Sequence, residues 1–254
     1  MKVNKIYNEN CLETMARMQD GFIDLTVTSP PYDNLRDYNG YSFDFESIAK
    51  ELYRVTKDGG VVVWIVGDKR VNQDKTLTHF KQAINFQSIG FKVLDVMIWK
   101  KSNPMPFIQK DQYTPSYELM FILTKGKLKT FNALKEQCKY AGQIVKTSST
   151  NKESIRRPNK TIPTKKFKIK SNVWETVLAG TNYGHPAIFP EKLVNDHIFS
   201  WSNENDIVYD CFMGSGTTAK MAILNNRNYI GSEISKEYCK ISERRIQQIH
   251  PKLF

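Results

Sequence analysis

Cysteine is sparse in this chain: four residues in 254, at Cys11, Cys138, Cys211 and Cys239. They are too far apart for a metal-ligand or redox spacing. That excludes a disulfide scaffold and points to free thiols in a reducing compartment. No apolar run approaches the ~18–20 residues a membrane span needs. Met1–Asn10 has no apolar segment of the secretory kind, so no signal peptide is expected. There is no internal repeat and no heptad seam. Acidic residues are outnumbered, 26 Asp and Glu against 37 Lys and Arg, for a formal net charge of +11. Aromatics, in contrast, are plentiful: 14 Phe, 12 Tyr and 4 Trp in a chain that is 40% hydrophobic. A wholly disordered chain is thereby excluded. The length suits one substantial core with a small insert. Excess positive charge permits a nucleic-acid partner without requiring one.

The positive charge is concentrated. Thr124–Lys170 holds fourteen Lys and Arg against Glu136 and Glu153, a net of +12, so the remaining residues sum to −1. The segment includes Lys125, Lys127, Lys129, Arg156, Arg157, Lys165, Lys166 and Lys168, and much of it is poor in apolar residues. Two readings fit: a solvated or disordered insert, or an arm that contacts phosphates and makes binding steeply salt-dependent.

Periodicity outlines alternating strands and helices. Residues Ile6–Gln19 read as helical in part, with Leu12, Met15 and Met18 on one face. Phe22–Val27 reads as a buried strand, and Phe45–Val55 as a helix with Ile48, Leu52 and Val55 inward. Asp58-Gly59-Gly60 reads as a turn before the strand Val61–Val66. Thr78–Ile89 is a helix stopped by Gly90, and Phe91–Trp99 and Tyr117–Thr124 are strands. Order resumes near Asn172–Val177. Pro190–Phe199 is a helix, Asp206–Asp210 a strand, Thr217–Leu224 a helix, Tyr229–Glu233 a strand and Lys236–Ile249 a charged helix. Strands and helices alternating at these lengths imply an α/β fold, a mostly parallel central sheet with helices on both faces.

Two loops carry chemistry. Asp210-Cys211-Phe212-Met213-Gly214-Ser215-Gly216-Thr217-Thr218 lies between a strand and a helix. Its glycines allow a tight turn and close approach of backbone to a ligand, at a helix end with free N–H groups. No Lys follows the glycines, so this is not a P-loop. Glu233 ends the next strand, where a carboxylate can accept both ribose hydroxyls of an adenosine-type ligand. A structural turn with a surface Glu is the plainer alternative. Ser29-Pro30-Pro31-Tyr32 follows the strand that ends near Thr28. Two prolines remove two donors and fix φ, leaving carbonyl acceptors beside an aromatic ring. That set suits an exocyclic amine on a planar base, as flipped-base enzymes require. A simple turn or a peptide-recognition loop is the alternative.

Together the loops resemble those of the amino-group DNA methyltransferases that use S-adenosylmethionine. In that family the catalytic loop is (Asp/Asn/Ser)-Pro-Pro-(Tyr/Phe), here Ser29–Tyr32, and the cofactor loop is Phe-x-Gly-x-Gly, here Phe212–Gly216. The catalytic loop comes first, which is similar to the circularly permuted beta arrangement. Asp58-Gly59-Gly60, Trp99-Lys100-Lys101-Ser102-Asn103-Pro104-Met105-Pro106, Asn172-Val173-Trp174-Glu175 and His185-Pro186 through Phe189-Pro190-Glu191 also agree. Asn10 falls where the class has an adenine-side contact, although the usual Gly-Asp before it is Glu9-Asn10 here. The resemblance spans roughly residues 4–124 and 171–246. It implies a Rossmann-like methyltransferase fold divided as residues 1–124 (catalytic half), 125–170 (basic target-recognition insert) and 171–254 (cofactor half).

It further implies transfer of a methyl group from S-adenosylmethionine, leaving S-adenosylhomocysteine, to N4 of cytosine or N6 of adenine in duplex DNA. Ser at the first motif position leans toward cytosine N4. The implied catalytic residues are Ser29, Pro30, Pro31 and Tyr32. The implied cofactor set is Asn10, Ser29, Pro190, Asp210, Phe212, Gly214, Ser215, Gly216, Thr217, Thr218 and Glu233, with no metal. The implied partners are double-stranded DNA, a cognate restriction endonuclease and a second copy in a homodimer, in the cytoplasm of a bacterium, an archaeon or a phage-infected host. A non-catalytic DNA-binding protein of the same fold is the rival from another class.

Overall fold

The structure is a computed structural model that describes residues 1–31, 43–104, 111–147, 160–177 and 189–249. In chain order its elements are β1 (Lys5–Tyr7), α1 (Cys11–Ala16), β2 (Ile23–Thr28), α2 (Phe45–Val55), β3 (Thr56–Val66), β4 (Arg70–Val71), β5 (Asp74–Lys75), α3 (Thr78–Ile89), β6 (Lys92–Lys101), β7 (Tyr117–Thr124), β8 (Lys135–Gln137), β9 (Ile144–Thr147), β10 (Lys160–Pro163), β11 (Phe167–Ile169), β12 (Val173–Thr176), α4 (Glu191–Trp201), β13 (Ile207–Asp210), α5 (Thr217–Leu224), β14 (Asn228–Ser232) and α6 (Lys236–Gln247).

Eight strands form one sheet in the order β1-β14-β13-β2-β3-β7-β6-β12. All neighbours run parallel except β7, which is antiparallel to both β3 and β6. The chain proceeds from β13 to β14 on one side and from β2 to β3 on the other. The crevice between the carboxyl ends of β13 and β2 is therefore a topological switch point, where open α/β sheets bind ligands.

The strand β3 shows how the two faces are filled. Val62, Trp64 and Val66 join Leu119, Phe121 and Leu123 of β7 in a core with Met15, Leu52 and Phe86 from α1, α2 and α3. Val63 and Ile65, pointing the other way, are equally buried. On their side α4 packs against β2, β3 and β12, and His197 Nε2 lies 3.2 Å from Met120 Sδ. A strand buried on both faces reads as a continuous apolar run, as Val61–Val66 does.

Helix limits follow local chemistry. The Asp44 side chain accepts from Ser47 N and starts α2, and the chain turns extended at Thr56, whose hydroxyl donates to Leu52 O. Gly90, at φ 125°, ends α3 as expected. The amino-terminal region differs from expectation. Only Cys11–Ala16 is helical, and Lys5–Tyr7 is an edge strand on β14. Three residues are too few to show an alternating pattern, so pairing with β14 sets this strand. Asp58-Gly59-Gly60 is not a turn either. It is a bulge inside β3: Ile23 pairs with Thr56, but Leu25 already pairs with Val61. Asp24 anchors the bulge, accepting from Lys57 Nζ at 2.7 Å and from Ile207 N at 2.9 Å. Gly59 has φ 79°, and a Cβ there would lie 2.4 Å from Lys129 Cγ and 2.7 Å from Lys127 O.

Residues 133–171 form a separate compact unit. In it β8 pairs antiparallel with β11, and β9 with β10. Hydrogen bonds from Cys138 N to Lys166 O (2.9 Å) and from Thr164 N to Gln143 O (2.9 Å) connect the ladders into one two-stranded ribbon. Among the described residues no helix is long and apolar enough to cross a membrane, and no group of three or more His, Cys, Asp or Glu could hold a metal ion.

Candidate cofactor and catalytic site

The two loops meet at the switch point through one carboxylate. Asp210, at the end of β13, is 2% exposed. Its Oδ1 accepts from Thr28 Oγ1 (2.6 Å) and Phe212 N (3.0 Å), and its Oδ2 from Thr218 Oγ1 (2.7 Å). Thr28 ends β2 immediately before the Ser29-Pro30-Pro31 loop and is fully buried. Thr218 lies in the first turn of α5. The end of β2, the glycine loop and the helix behind it are thus held at a single point. Burial raises the Asp210 carboxyl above its ordinary value, and the three hydrogen bonds oppose that rise.

The glycine loop needs its backbone freedom. Gly214 and Gly216 have φ of 52° and 80°. A Cβ on Gly216 would lie 2.5 Å from Ser242 Cβ of α6, so a larger residue here would push α6 away. Phe212 turns its ring toward the core, 5.8 Å from Phe43 and 6.3 Å from Trp64.

Glu233 follows β14. Its Oε2 accepts from Gly214 N and its Oε1 from Ser235 N, both at 2.8 Å. A carboxylate has about four acceptor positions, so one further position on each oxygen remains for a vicinal diol. Burial raises its carboxyl, and the Ser235 and Gly214 N–H groups partly offset this. Asn8 braces the same corner, donating to the carbonyls of Glu233 (2.9 Å) and Ile234 (3.0 Å). Asn10 stands beside it as the cap of α1, its side chain accepting from Leu12 N at 2.9 Å.

Arg245 of α6 supports the loop from behind. Its Nη1 donates to Ser215 O (2.6 Å), Ser215 Oγ (2.9 Å) and Thr217 Oγ1 (3.2 Å), and its Nη2 to Glu191 Oε1 (2.9 Å). Lys220 of α5 donates to the same Glu191 oxygen at 2.6 Å. Burial alone would raise the Glu191 carboxyl, but Lys220 and Arg245 outweigh it and hold it low. Pro190, just ahead of Glu191, is the N-cap of α4, where its carbonyl accepts from Leu193 N.

Of the residues expected at the cofactor, Asp210, Phe212, Gly214, Ser215, Gly216, Thr217, Thr218 and Glu233 come together around one loop. Asp210 and Thr218 hold each other there, and the side chains of Ser215 and Thr217 are held by Arg245. Ser29 and Pro31 are half-buried and Pro30 is buried. Tyr32, Arg156 and Arg157 lie outside the described residues. Lys125, Lys127 and Lys129 lie away from the switch point. Lys125 follows β7, whose end pairs with the start of β3's straight run, Val61 opposite Thr124. The Ser29-Pro30-Pro31 loop instead follows β2, whose last residue Thr28 pairs with Trp64, three residues further along β3 and about 10 Å away in the strand direction. The Lys125 ammonium donates to the carbonyls of Tyr53 (2.9 Å) and Thr56 (3.0 Å) at the end of α2. Asn8, Thr28, Lys220 and Arg245 were not singled out from sequence. Each acts across more than 25 residues of chain, and no local spacing marks it.

A permuted, mostly parallel sheet with a glycine loop at its switch point and an acidic residue after the next strand defines a Rossmann-like fold. The chain belongs to the DNA methylase family, whose profile matches residues 23–244. It is 51% identical over 240 residues, 90% of each chain, to the orphan methyltransferase M.BamHII of Bacillus amyloliquefaciens. It is 26% identical to the type II methyltransferase M.HinfI of Haemophilus influenzae, over 98% of this chain and 70% of that protein. Among solved structures, the M1.HpyAVI–SAM complex aligns with a TM-score of 0.67 at 24% identity, over 95% of this chain and 98% of the other. The PvuII DNA methyltransferase (cytosine-N4-specific) aligns with a TM-score of 0.71 at 19% identity, over 99% and 93%. These structural likenesses speak to the fold.

Proposed function

We propose that this DNA methylase transfers the methyl group of S-adenosylmethionine to N4 of cytosine within a specific sequence of duplex DNA. The observation that carries the reading is the Asp210 junction, which joins the Ser29-Pro30-Pro31 loop to the glycine loop. The residues fit the cofactor. Glu233 keeps one acceptor position per oxygen for the ribose hydroxyls, and Gly214 and Gly216 let the backbone approach. When bound, the cofactor supplies an electrophilic methyl group on a sulfonium centre.

The chain's own part is positioning. The Ser29 side chain and the Pro30 carbonyl hold the two hydrogens of the exocyclic amine and draw the nitrogen toward tetrahedral geometry. Its lone pair, otherwise delocalised into the ring, then faces the cofactor side. The same acceptors stabilise positive charge as it develops on that nitrogen, and the spent proton leaves to solvent. Tyr32 stacks on the base. Ser29 offers no carboxylate at the first loop position, which favours the more basic cytosine ring over adenine. Cytosine is thus the finer part of the proposal and DNA methylation the coarser.

Incubation with labelled S-adenosylmethionine and either duplex DNA or RNA, followed by mass analysis of nucleosides, tests both parts. Labelled N4-methylcytosine is the expected product. Recovery of N6-methyladenine alone overturns the choice of base, and a label confined to RNA overturns the substrate.

A further inference from the structure

We infer that one face of the 133–171 ribbon reads base edges in the DNA major groove, and that Gln137 and Phe167 are specificity-determining residues. The inference rests on the reading that this chain methylates duplex DNA, and it concerns how the target sequence is chosen.

The register defines the face. Phe167 pairs with Gln137, Lys168 with Glu136 and Ile169 with Lys135. Residues directly opposite in an antiparallel ladder share a face, and successive residues alternate. Lys135, Gln137, Phe167 and Ile169 therefore lie together on one side. All four are exposed, Phe167 at 58% and Ile169 at 59%. The other side carries Glu136 and Lys168, joined at 3.0 Å. One face of the ribbon thus neutralises its own charge. The opposite face leaves an amide, an ammonium and two large apolar side chains open to solvent.

That combination matches the chemistry of the groove. A two-stranded ribbon fits the major groove of B-form DNA. There Gln pairs with adenine N6 and N7, Lys with guanine O6 and N7, and apolar side chains pack on the thymine methyl. The unit's charge is complementary to DNA: residues 133–171 contain eleven Lys and Arg against two Glu, a net of +9. Lys165 and Lys166, exposed just before β11, are placed for phosphates flanking the bases. An exposed apolar face on a two-stranded ribbon gains nothing in an isolated chain, since such a ribbon has no core of its own.

The test uses the full chain with Gln137→Ala, Phe167→Ala and the double change Lys165→Ala, Lys166→Ala. Each is expressed in a host free of DNA methylation, and single-molecule sequencing maps the modified motif. Binding to cognate and scrambled duplexes is followed by fluorescence anisotropy over a salt series. For Gln137→Ala or Phe167→Ala the motif is expected to relax at one or more positions. The cognate-to-scrambled affinity ratio should fall by roughly 5- to 150-fold, as for one lost base contact, with the salt slope unchanged. The lysine pair should weaken both duplexes alike and leave the motif intact. An unchanged motif and ratio in both single variants overturns the inference while DNA methylation stands. So does a change of oligomeric state in Phe167→Ala, by sedimentation, with the motif intact. If the wild-type chain modifies no DNA, the underlying reading falls and takes the ribbon with it.

Discussion

Asp210 is expected among the cofactor contacts because it ends the strand before the glycines, and in the structure it is the last residue of β13. Its surroundings are not legible from that position. Three donors of the chain hold it, Phe212 N and Thr218 Oγ1 within eight residues and Thr28 Oγ1 182 residues away. Asp210→Ala leaves those donors unpaired in the core and is expected to cost about 3 kcal/mol or more. Asp210→Asn keeps an acceptor and the shape, and should cost clearly less; urea denaturation of both variants checks the order. Equal losses would show that the hydrogen bonds do not carry the effect. Glu233 yields a pH prediction. Its carboxyl is raised by burial, and protonation would convert the acceptor proposed for the ribose hydroxyls into a donor. Affinity for S-adenosylmethionine should therefore fall as pH drops, beginning above the ordinary glutamate value of about 4.3. Calorimetric titration at a series of pH values measures this. Affinity constant down to that ordinary value would argue against a ribose contact.

At the scale of elements, propensity and tertiary pairing divide the outcome. The limits of α2 and α3 were legible because an amphipathic stripe, an Asp cap and a terminal Gly all act within one or two turns. The bulge at Gly59-Gly60 was not, because a Gly pair has the same local signature in a turn and in a bulge. What separates the two is the neighbouring β2, reached through Asp24. The support of the glycine loop is likewise non-local. Arg245 looks like one more charge on a polar terminal helix, yet its side chain is only 5% exposed and bonds to Ser215, Thr217 and Glu191. Arg245→Ala should destabilise the fold by roughly 3 kcal/mol and raise KM for S-adenosylmethionine more than it lowers kcat. Arg245→Lys should recover part of the KM loss. Because Glu191 is held low, its share of the stability is present at neutral pH and is lost as pH falls through that lowered value. Denaturation and steady-state kinetics of the two variants would expose a purely structural role, which would leave KM unmoved in the folded fraction.

Across the whole molecule, the excess charge that first suggested DNA separates into two populations. Lys165 and Lys166 belong to the ribbon unit, while Lys125, Lys127 and Lys129 belong to the larger unit beside the β3 bulge. The two sets should behave differently. Replacing Lys165 and Lys166 by Ala should flatten the salt dependence of DNA binding by roughly one unit per lost phosphate contact. Replacing Lys125, Lys127 and Lys129 should leave that slope in place. Lys125→Ala should instead lower thermal stability, by roughly 2 kcal/mol for a charged donor removed from the carbonyls of α2. A flattened slope in the second set would return those lysines to the DNA. The sequence by itself determined the α/β class, the strand and helix succession and the two loop motifs, because these depend on residue order, periodicity and backbone chemistry within a few turns. Only the tertiary structure decided that one buried carboxylate joins the loops, that Arg245 holds the glycine loop and that the basic segment divides between two units. Those outcomes depend on which distant residues share a strand end, a helix end or a ladder, and contacts between residues far apart in the chain leave no pattern in the local sequence.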